Sequence, residues 1–259
     1  ILRAKELGFG ATALLIAALL EERDILNLGP DQKTADLRLR LEALMYVQDG
    51  GFQIAKKMGC HISRAKTILK QAGIWAKRFA VPSGEVEKEK GGLCLALAFP
   101  DRVAAVRKGR SGTFVLSSGR GAKLPDDDPL ADQKFLSIGL LDKGMIDARV
   151  FLAAPIEIGE IEEYFSEFIV EEERIEWDQR TKSVRSEQKR QFLNMPISIR
   201  KIENPDTEIT IKELIKGIRS IGSEALPWTK KSRLLQKRVL LIDDNMKDFS
   251  DDELLSSLE

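Results

Sequence analysis

Between positions 102 and 123 the chain carries Arg102, Arg107, Lys108, Arg110, Arg120 and Lys123, with no acid among them. Guanidinium and ammonium groups gathered this way neutralise phosphates. Glycines set among them, such as Gly119 and Gly121, let a backbone come close enough to donate N–H bonds. The chemistry on offer is an electrostatic grip on a phosphate backbone, with no bond made or broken. A run of charge also serves simply to face water, and composition alone leaves both readings open. A second stretch, from Gly50 to Gly84, again holds no acid but has Lys56, Lys57, Arg64, Lys66, Lys70, Lys77 and Arg78. Lys56, Lys57 and Arg64 join the first six as candidate nucleic-acid contacts, although any surface helix shows lysines on its outer side.

Groups suited to covalent or metal chemistry are sparse. The single histidine, His61, cannot build a histidine metal site, and a Ser-His-Asp triad would rest wholly on it. Glu162-Glu163 and Glu171–Glu173 are sequence neighbours, which point apart on a helix. Asp126–Asp128 could coordinate a cation, yet three adjacent acids before a proline read as a loop. Trp75, Trp177 and Trp228 could stack on bases, and read more simply as packing anchors. The chain has no G-x-x-x-x-G-K followed by Ser or Thr, and no G-x-G-x-x-G after a strand. No catalytic residue, metal site or cofactor is therefore expected within these 259 residues.

The bulk numbers fit a globular chain of two or three domains, 43% hydrophobic and 32% charged. Lysine plus arginine and aspartate plus glutamate balance at 41 each, so only the distribution of charge is informative. It is basic around residue 60 and acidic at the end, with Asp243, Asp244, Asp248, Asp251, Asp252 and Glu253. Cys60 and Cys94 stand far apart and outside any C-x-x-C pair, as expected for a reducing cytoplasm. No apolar run reaches the roughly 18 residues of a membrane span. Ala11–Leu20 is the nearest, and Glu21, Glu22 and Arg23 follow it directly. The chain opens on Ile1 without Met and stops inside a helical pattern (Leu254, Leu255, Leu258), which reads as a piece of a longer polypeptide.

These residues need elements to position them. Residues 1–79 read as helices. One carries Leu14, Leu15, Ala18 and Leu19 and dissolves at Asn27-Leu28-Gly29-Pro30; a second begins near Asp31–Thr34 and ends at Gly50-Gly51; a third covers Phe52–Ala72. Pro82-Ser83-Gly84 and the charged Glu85–Lys90 run read as a linker. A short helix, Leu93–Phe99, is cut by Pro100. Strands are expected at Thr113–Leu116, Phe135–Leu141 and Ile146–Ala153, with loops at Ser118–Gly121 and Asp126–Pro129. Short strands with glycine-rich turns point to a small barrel, an OB-fold being the natural candidate. Beyond it lie a helix over Ile158–Val170 and a hairpin of Arg174–Trp177 and Lys182–Gln188. Capping boxes at Thr210-x-x-Glu213 and Ser250-x-x-Glu253 mark helix starts, and Leu226-Pro227-Trp228 separates helices Ile211–Ile221 and Lys230–Leu241.

Leu95–Arg107 (LALAFPDRVAAVR) and Phe114–Ala131 (FVLSSGRGAKLPDDDPLA) resemble the OB-fold region of HrpB-type bacterial DEAH-box helicases. Leu7–Gly10, Ala17–Leu26 and Ala35–Leu44 resemble the helical domain that precedes it in that family. Arg174–Val184, Gly217–Trp228 and Phe249–Glu259 resemble the start of the family's own C-terminal extension. The resemblance implies a multidomain fold of α and β parts. Its segments are a helicase-associated helical (ratchet-like) domain at 1–84, an OB-like small β-barrel at 93–156 and a truncated mixed α/β extension at 157–259. It implies a parent that is an ATP-dependent helicase, an NTP hydrolase using ATP and Mg in RecA-like motor domains outside this chain. This part would be non-catalytic. Its partners would be single-stranded nucleic acid, RNA in preference to DNA, and the motor domains of the same polypeptide, with no membrane. The alternative is a protein-interaction or scaffolding module, docking a partner through residues 157–259, without direct nucleic-acid binding.

Overall fold

The computed structural model describes residues 1–29, 34–142, 144, 147–222, 226–242, 250, 253, 256 and 257. They pack as two compact units, Ile1–Val170 with Gln191–Ile197, and Glu171–Arg190 with Ser198–Glu259.

The first unit begins with five helices: α1 (Leu2–Glu6), α2 (Gly10–Glu21), α3 (Leu37–Gln48), α4 (Phe52–Lys57) and α5 (Ile62–Arg78). The sequence GATALLIAALLE gives α2 no polar stripe, and the helix is accordingly buried on most sides, from Gly10 to Leu19. Helix α3 starts later than expected, at Leu37, because Asp36 caps it by accepting the Arg38 N–H at 2.9 Å. The earlier part of the expected start, Asp31–Lys33, lies outside the described residues. The single helix expected over Phe52–Ala72 is two. Gly59, at φ 79°, breaks it, and the freed backbone pairs with residues 25–27: Asn27 N–H donates to the Gly59 carbonyl at 2.9 Å and His61 N–H to the Ile25 carbonyl at 2.8 Å.

The expected linker is a fastened strap. Glu87 N–H donates to the buried Thr12 hydroxyl at 2.9 Å. Lys88 pairs with Glu42 at 2.8 Å, Glu89 with Arg38 at 3.1 Å and Lys90 with Glu160 at 2.8 Å. The strap delivers the chain into α6 (Gly91–Ala98), another helix apolar all round. Leu93 and Ala96 of α6 join one core and Cys94 and Leu95 another. Gly92 is required, since a Cβ there would sit on the Pro155 carbonyl.

Five strands then close a barrel in the order β1-β2-β3-β5-β4: β1 (Val103–Val106), β2 (Thr113–Leu116), β3 (Gly121–Lys123), β4 (Phe135–Leu141) and β5 (Asp147–Pro155). All neighbouring pairs are antiparallel except β3 with β5. Phe114, Leu116, Leu124, Leu130, Leu136 and Ile138 fill the interior. Strands β1 and β3 were not expected; each is four residues or fewer, and Gly121, assigned to a loop, opens β3. Ile146, the expected start of the last strand, lies outside the described residues. The helices and barrel are stitched by backbone: Ala153 N–H donates to the Ala35 carbonyl at 2.8 Å. Asp128, which is buried, takes Ala35 N–H at 2.8 Å and Leu130 N–H at 2.9 Å. The acidic Asp126–Asp128 run thus ends in a structural carboxylate.

The helix expected over Ile158–Val170 is shorter. Helix α7 covers Ile158–Tyr164, a single tight turn follows at Ser166–Phe168, and Ile169 already belongs to β6 (Ile169–Asp178). Phe165 ends the helix by turning inward, where its ring meets Phe192 edge-on at 5.7 Å. With β7 (Ser183–Phe192) and β8 (Met195–Lys201), β6 forms a three-stranded sheet of order β6-β7-β8, so the expected hairpin is present, longer, and joined by a third strand.

In the second unit, α8 (Thr207–Ile221) and α9 (Lys230–Ile242) flank Leu226–Trp228. Helix α8 begins four residues before the expected Ile211, because Asp206, rather than Thr210, acts as the cap and accepts the Ile209 N–H at 2.9 Å. Trp177 lies flat against Gly217 of α8, where a Cβ would collide with the indole, so this tryptophan is a packing anchor. At Ser250 the hydroxyl accepts the Glu253 N–H at 3.1 Å, half of the expected capping box.

Candidate nucleic-acid interface

The barrel's outer surface gathers most of the basic residues singled out from sequence. Alternation along a strand sends Phe114, Ala122, Ala148 and Val150 inward and leaves Thr113, Lys123 and Arg149 outward. Register then sets these three side by side, with Thr113 opposite Lys123 on β3 and Lys123 opposite Arg149 on β5. The turn from β1 to β2 carries Arg107, Lys108 and Arg110. Gly109 (φ 74°) and Gly112 (φ 69°) shape it, adopting a left-handed backbone that side chains rarely tolerate.

The six cations of this region divide by what they already touch. Arg102 is engaged: its guanidinium donates to the Gly139 carbonyl at 3.1 Å and lies 4.3 Å over the Phe99 ring. Arg107 pairs with Asp147 at 3.3 Å. That pair passes over Gly121, where a Cβ would strike both the guanidinium and the carboxylate. Arg120 donates to the Gly144 carbonyl at 3.1 Å and so ties the β2–β3 turn to the β4–β5 turn. Lys108, Arg110 and Lys123 are exposed and make no ion pair among the described residues. The β4–β5 turn is held by Asp142, which accepts N–H groups from Gly144 and Arg149, both at 2.9 Å. These two bonds keep the Asp142 carboxyl below its ordinary range.

Two outward residues of β5 were not singled out from sequence, Arg149 and Phe151. Phe151 is 50% exposed, and the Arg149 guanidinium lies 5.6 Å from its ring centroid. The signal was present in the alternation of Asp147–Leu152, once the strand is known to face solvent on that side. Both line a cavity of about 350 Å³ with Leu26, Asn27, Arg40 and Leu140. Arg40 is itself buried and fully committed, at 2.6 Å to Asp24 and 2.7 Å to the Thr34 carbonyl. An aromatic face beside a guanidinium suits stacking of a base, while the neighbouring cations suit phosphates.

Of the helical candidates, Lys56 and Lys57 are exposed at the end of α4. Arg64 instead donates to the Asp24 carbonyl at 2.8 Å, bracing α5 against the segment after α2. Asp24 also lines the cavity that holds Arg149 and Phe151. Neither cysteine is a reactive thiol: both are buried, and burial pushes Cys94 up to about 12. Among the described residues no cluster of three or more His, Cys, Asp or Glu could hold a metal ion, and no helix is long and apolar enough to cross a membrane.

No protein-family model matches the chain. A curated relative, the ATP-dependent RNA helicase HrpB of Escherichia coli (strain K12), is 27% identical over 263 residues, covering 99% of this chain. The chain matches HrpB. It spans 29% of that protein's length. A crystal structure of the E. coli DExH-box NTPase HrpB superposes with a TM-score of 0.55 at 25% identity, covering 96% of this chain and 28% of that one. A second, of the E. coli DEAH/RHA helicase HrpB, gives 0.55 at 23% identity, with the same coverage of 96% and 28%. Likeness to HrpB extends over both compact units, so the barrel with its basic turn falls inside the matched length. HrpB is named for dependence on ATP, and the sequence of this chain contains no G-x-x-x-x-G-K followed by Ser or Thr.

Proposed function

We propose that this chain is the region of a helicase that follows the motor domains, and that its barrel holds a single strand, RNA in preference to DNA, for those motors. The observation that carries the reading is the outer barrel face, where unpaired Lys108, Arg110 and Lys123 adjoin Arg149 and the exposed Phe151 ring. The barrel is read as OB-type: five strands, the order β1-β2-β3-β5-β4, and a face between strands 2 and 3 flanked by the β1–β2 and β4–β5 turns, where such barrels take up oligonucleotides. Residues 1–84 then act as the ratchet-like helical part, 93–156 as the OB-like part and 157–259 as the extension, in a cytoplasmic protein. Lys108, Arg110 and Lys123 meet phosphates directly, Arg107 and Arg120 hold the turns that present them, and Arg102 fixes the barrel's edge. ATP and Mg would be bound and used by the RecA-like motors, which this chain does not supply. Choice of RNA leans on the curated relative's name as an RNA helicase.

The test is a salt titration of binding to a 12-nucleotide single-stranded RNA. Each phosphate contact adds about 0.7 to the slope of log K against log salt for single strands. Changing Lys108, Arg110 and Lys123 together to Ala should weaken binding on the order of tenfold and flatten the slope by about 2. An unchanged slope would sink the assignment.

A second reading, docking of a partner protein, is favoured by one observation. Helix α8 exposes Ile209, Ile211 and Leu214, and at the end of α9 Leu241 and Ile242 are 88% and 84% exposed among the described residues.

A further inference from the structure

Helix α5 carries an arrangement that the barrel reading does not use. At 100° per residue, Lys66, Lys70, Gly73 and Lys77 fall within an arc of about 60°, forming one file along its exposed side. From Lys66 to Lys77 the file runs roughly 16 Å. Lys56 and Lys57 add charge at the end of α4, and Arg78 at the end of α5. No acid occurs between Gly50 and Gly84, and none of these lysines forms an ion pair among the described residues. Two exposed lysines of α8 behave differently: Lys212 pairs with Glu208 at 3.0 Å and Lys216 with Glu213 at 3.1 Å.

Gly73 is the second, independent observation. Glycine in the middle of a helix is destabilising relative to alanine. Here nothing in the protein calls for it, because an added Cβ would meet no atom within 4 Å and the residue faces solvent. The glycine leaves the helix backbone bare between Lys70 and Lys77, which suits close approach of a large rigid surface. Phe52, 37% exposed, has the Lys66 ammonium 4.7 Å over its ring, and Trp75 packs against the helical core. One partly exposed phenylalanine beside a file roughly 16 Å long gives a single strand little stacking along the ridge. A double helix offers phosphates on a rigid frame and is recognised through shape and backbone.

We propose that the Lys66–Lys70–Gly73–Lys77 file is a docking ridge for the phosphate backbone of double-stranded RNA. The inference stands apart from the barrel's single-strand role.

The experiment measures binding of the full chain to a 20-base-pair blunt RNA duplex and to a 12-nucleotide oligouridylate, each across a salt series. Lys66→Gln, Lys70→Gln and Lys77→Gln together should lower duplex affinity on the order of tenfold and flatten its salt slope by roughly 2 to 3, leaving oligouridylate within about twofold. The corresponding triple change to Arg keeps the charges and should keep duplex binding. Gly73→Gln should raise the thermal midpoint, since Gln is the better helix former, while weakening the duplex. A structural role alone would not produce that opposition. The barrel triple variant should do the reverse of the ridge triple, losing oligouridylate and sparing the duplex, so the two ideas fail separately. An unchanged duplex slope in the Gln triple overturns the ridge. Equal losses for both nucleic acids overturn it too, as does displacement of the duplex by a polyglutamate peptide at matched charge, which would mark an acidic protein as the occupant.

Discussion

Lys108, Arg110 and Lys123 differ from Arg102, Arg107 and Arg120 in what their charges already touch, and under the proposed function this difference sorts grip from scaffolding. Removing Arg107 strands Asp147 beside the barrel face, so its loss would register as local destabilisation as well as weaker binding. Phe151 makes the complementary case. If its exposed ring stacks a base, Phe151→Ala should cost about 1–3 kcal/mol of single-strand affinity with the salt slope unchanged, because stacking releases no counterions. Loss of slope without loss of affinity at low salt would contradict that role. The run of six cations was plain in the sequence. Which of them are free was not, because the partner of Arg107 lies 40 residues away and the carbonyl that takes Arg120 lies on another turn. Arg149 and Phe151 escaped notice for a related reason: two outward positions acquire meaning only when β3 sets Lys123 beside them.

At the scale of elements, the long apolar helices and the two longer of the three expected barrel strands were legible, because periodicity over many residues outweighs local exceptions; β2, as short as β1, stood out by its Thr-Phe-Val-Leu run. Short pieces were not. Strands β1 and β3 owe their existence to ladder partners rather than to their own four and three residues. The break at Gly59 depends on backbone partners at residues 25–27, invisible from the lysine-rich pattern around it. The strap from Glu85 to Lys90 looked like a linker because its charges are dense, yet those charges are its fastenings. Lys90 shows the consequence for pH. The hydrogen bond from its ammonium to Glu160 raises its pKa above the ordinary lysine value. Stability from a raised lysine is complete below the unfolded value, about 10.4, and is lost as pH climbs through the folded one. Glu160→Gln can keep the contact to Glu157 N–H that starts α7 while removing the charge. It should lower stability at pH 8 by about 0.5 kcal/mol, a modest figure because the pair is partly solvated, and the difference should fade at alkaline pH once the raised lysine has lost its proton. A thermal-melt difference that persisted there would contradict the ion pair as its source.

For the whole molecule, a net charge of zero hides a basic barrel turn, a basic helix ridge and the acid-rich residues 243–253. Attraction to a polyanion is a matter of where the charges sit, which a net charge does not report. The matched relative, HrpB, is more than three times as long as this chain's share of it, and under the proposed function the barrel is a grip that would serve a motor. The choice between a strand-holding barrel and a protein-docking module turns on which surface a nucleic acid covers. Amide hydrogen exchange of the full chain, with and without a saturating 12-nucleotide RNA, answers that directly. A strand held on the barrel face should slow exchange in the Arg107–Gly112 turn, in β2 and β3, and around Arg149–Phe151. No protection at saturation, or protection confined to Glu171–Ile242, would contradict it.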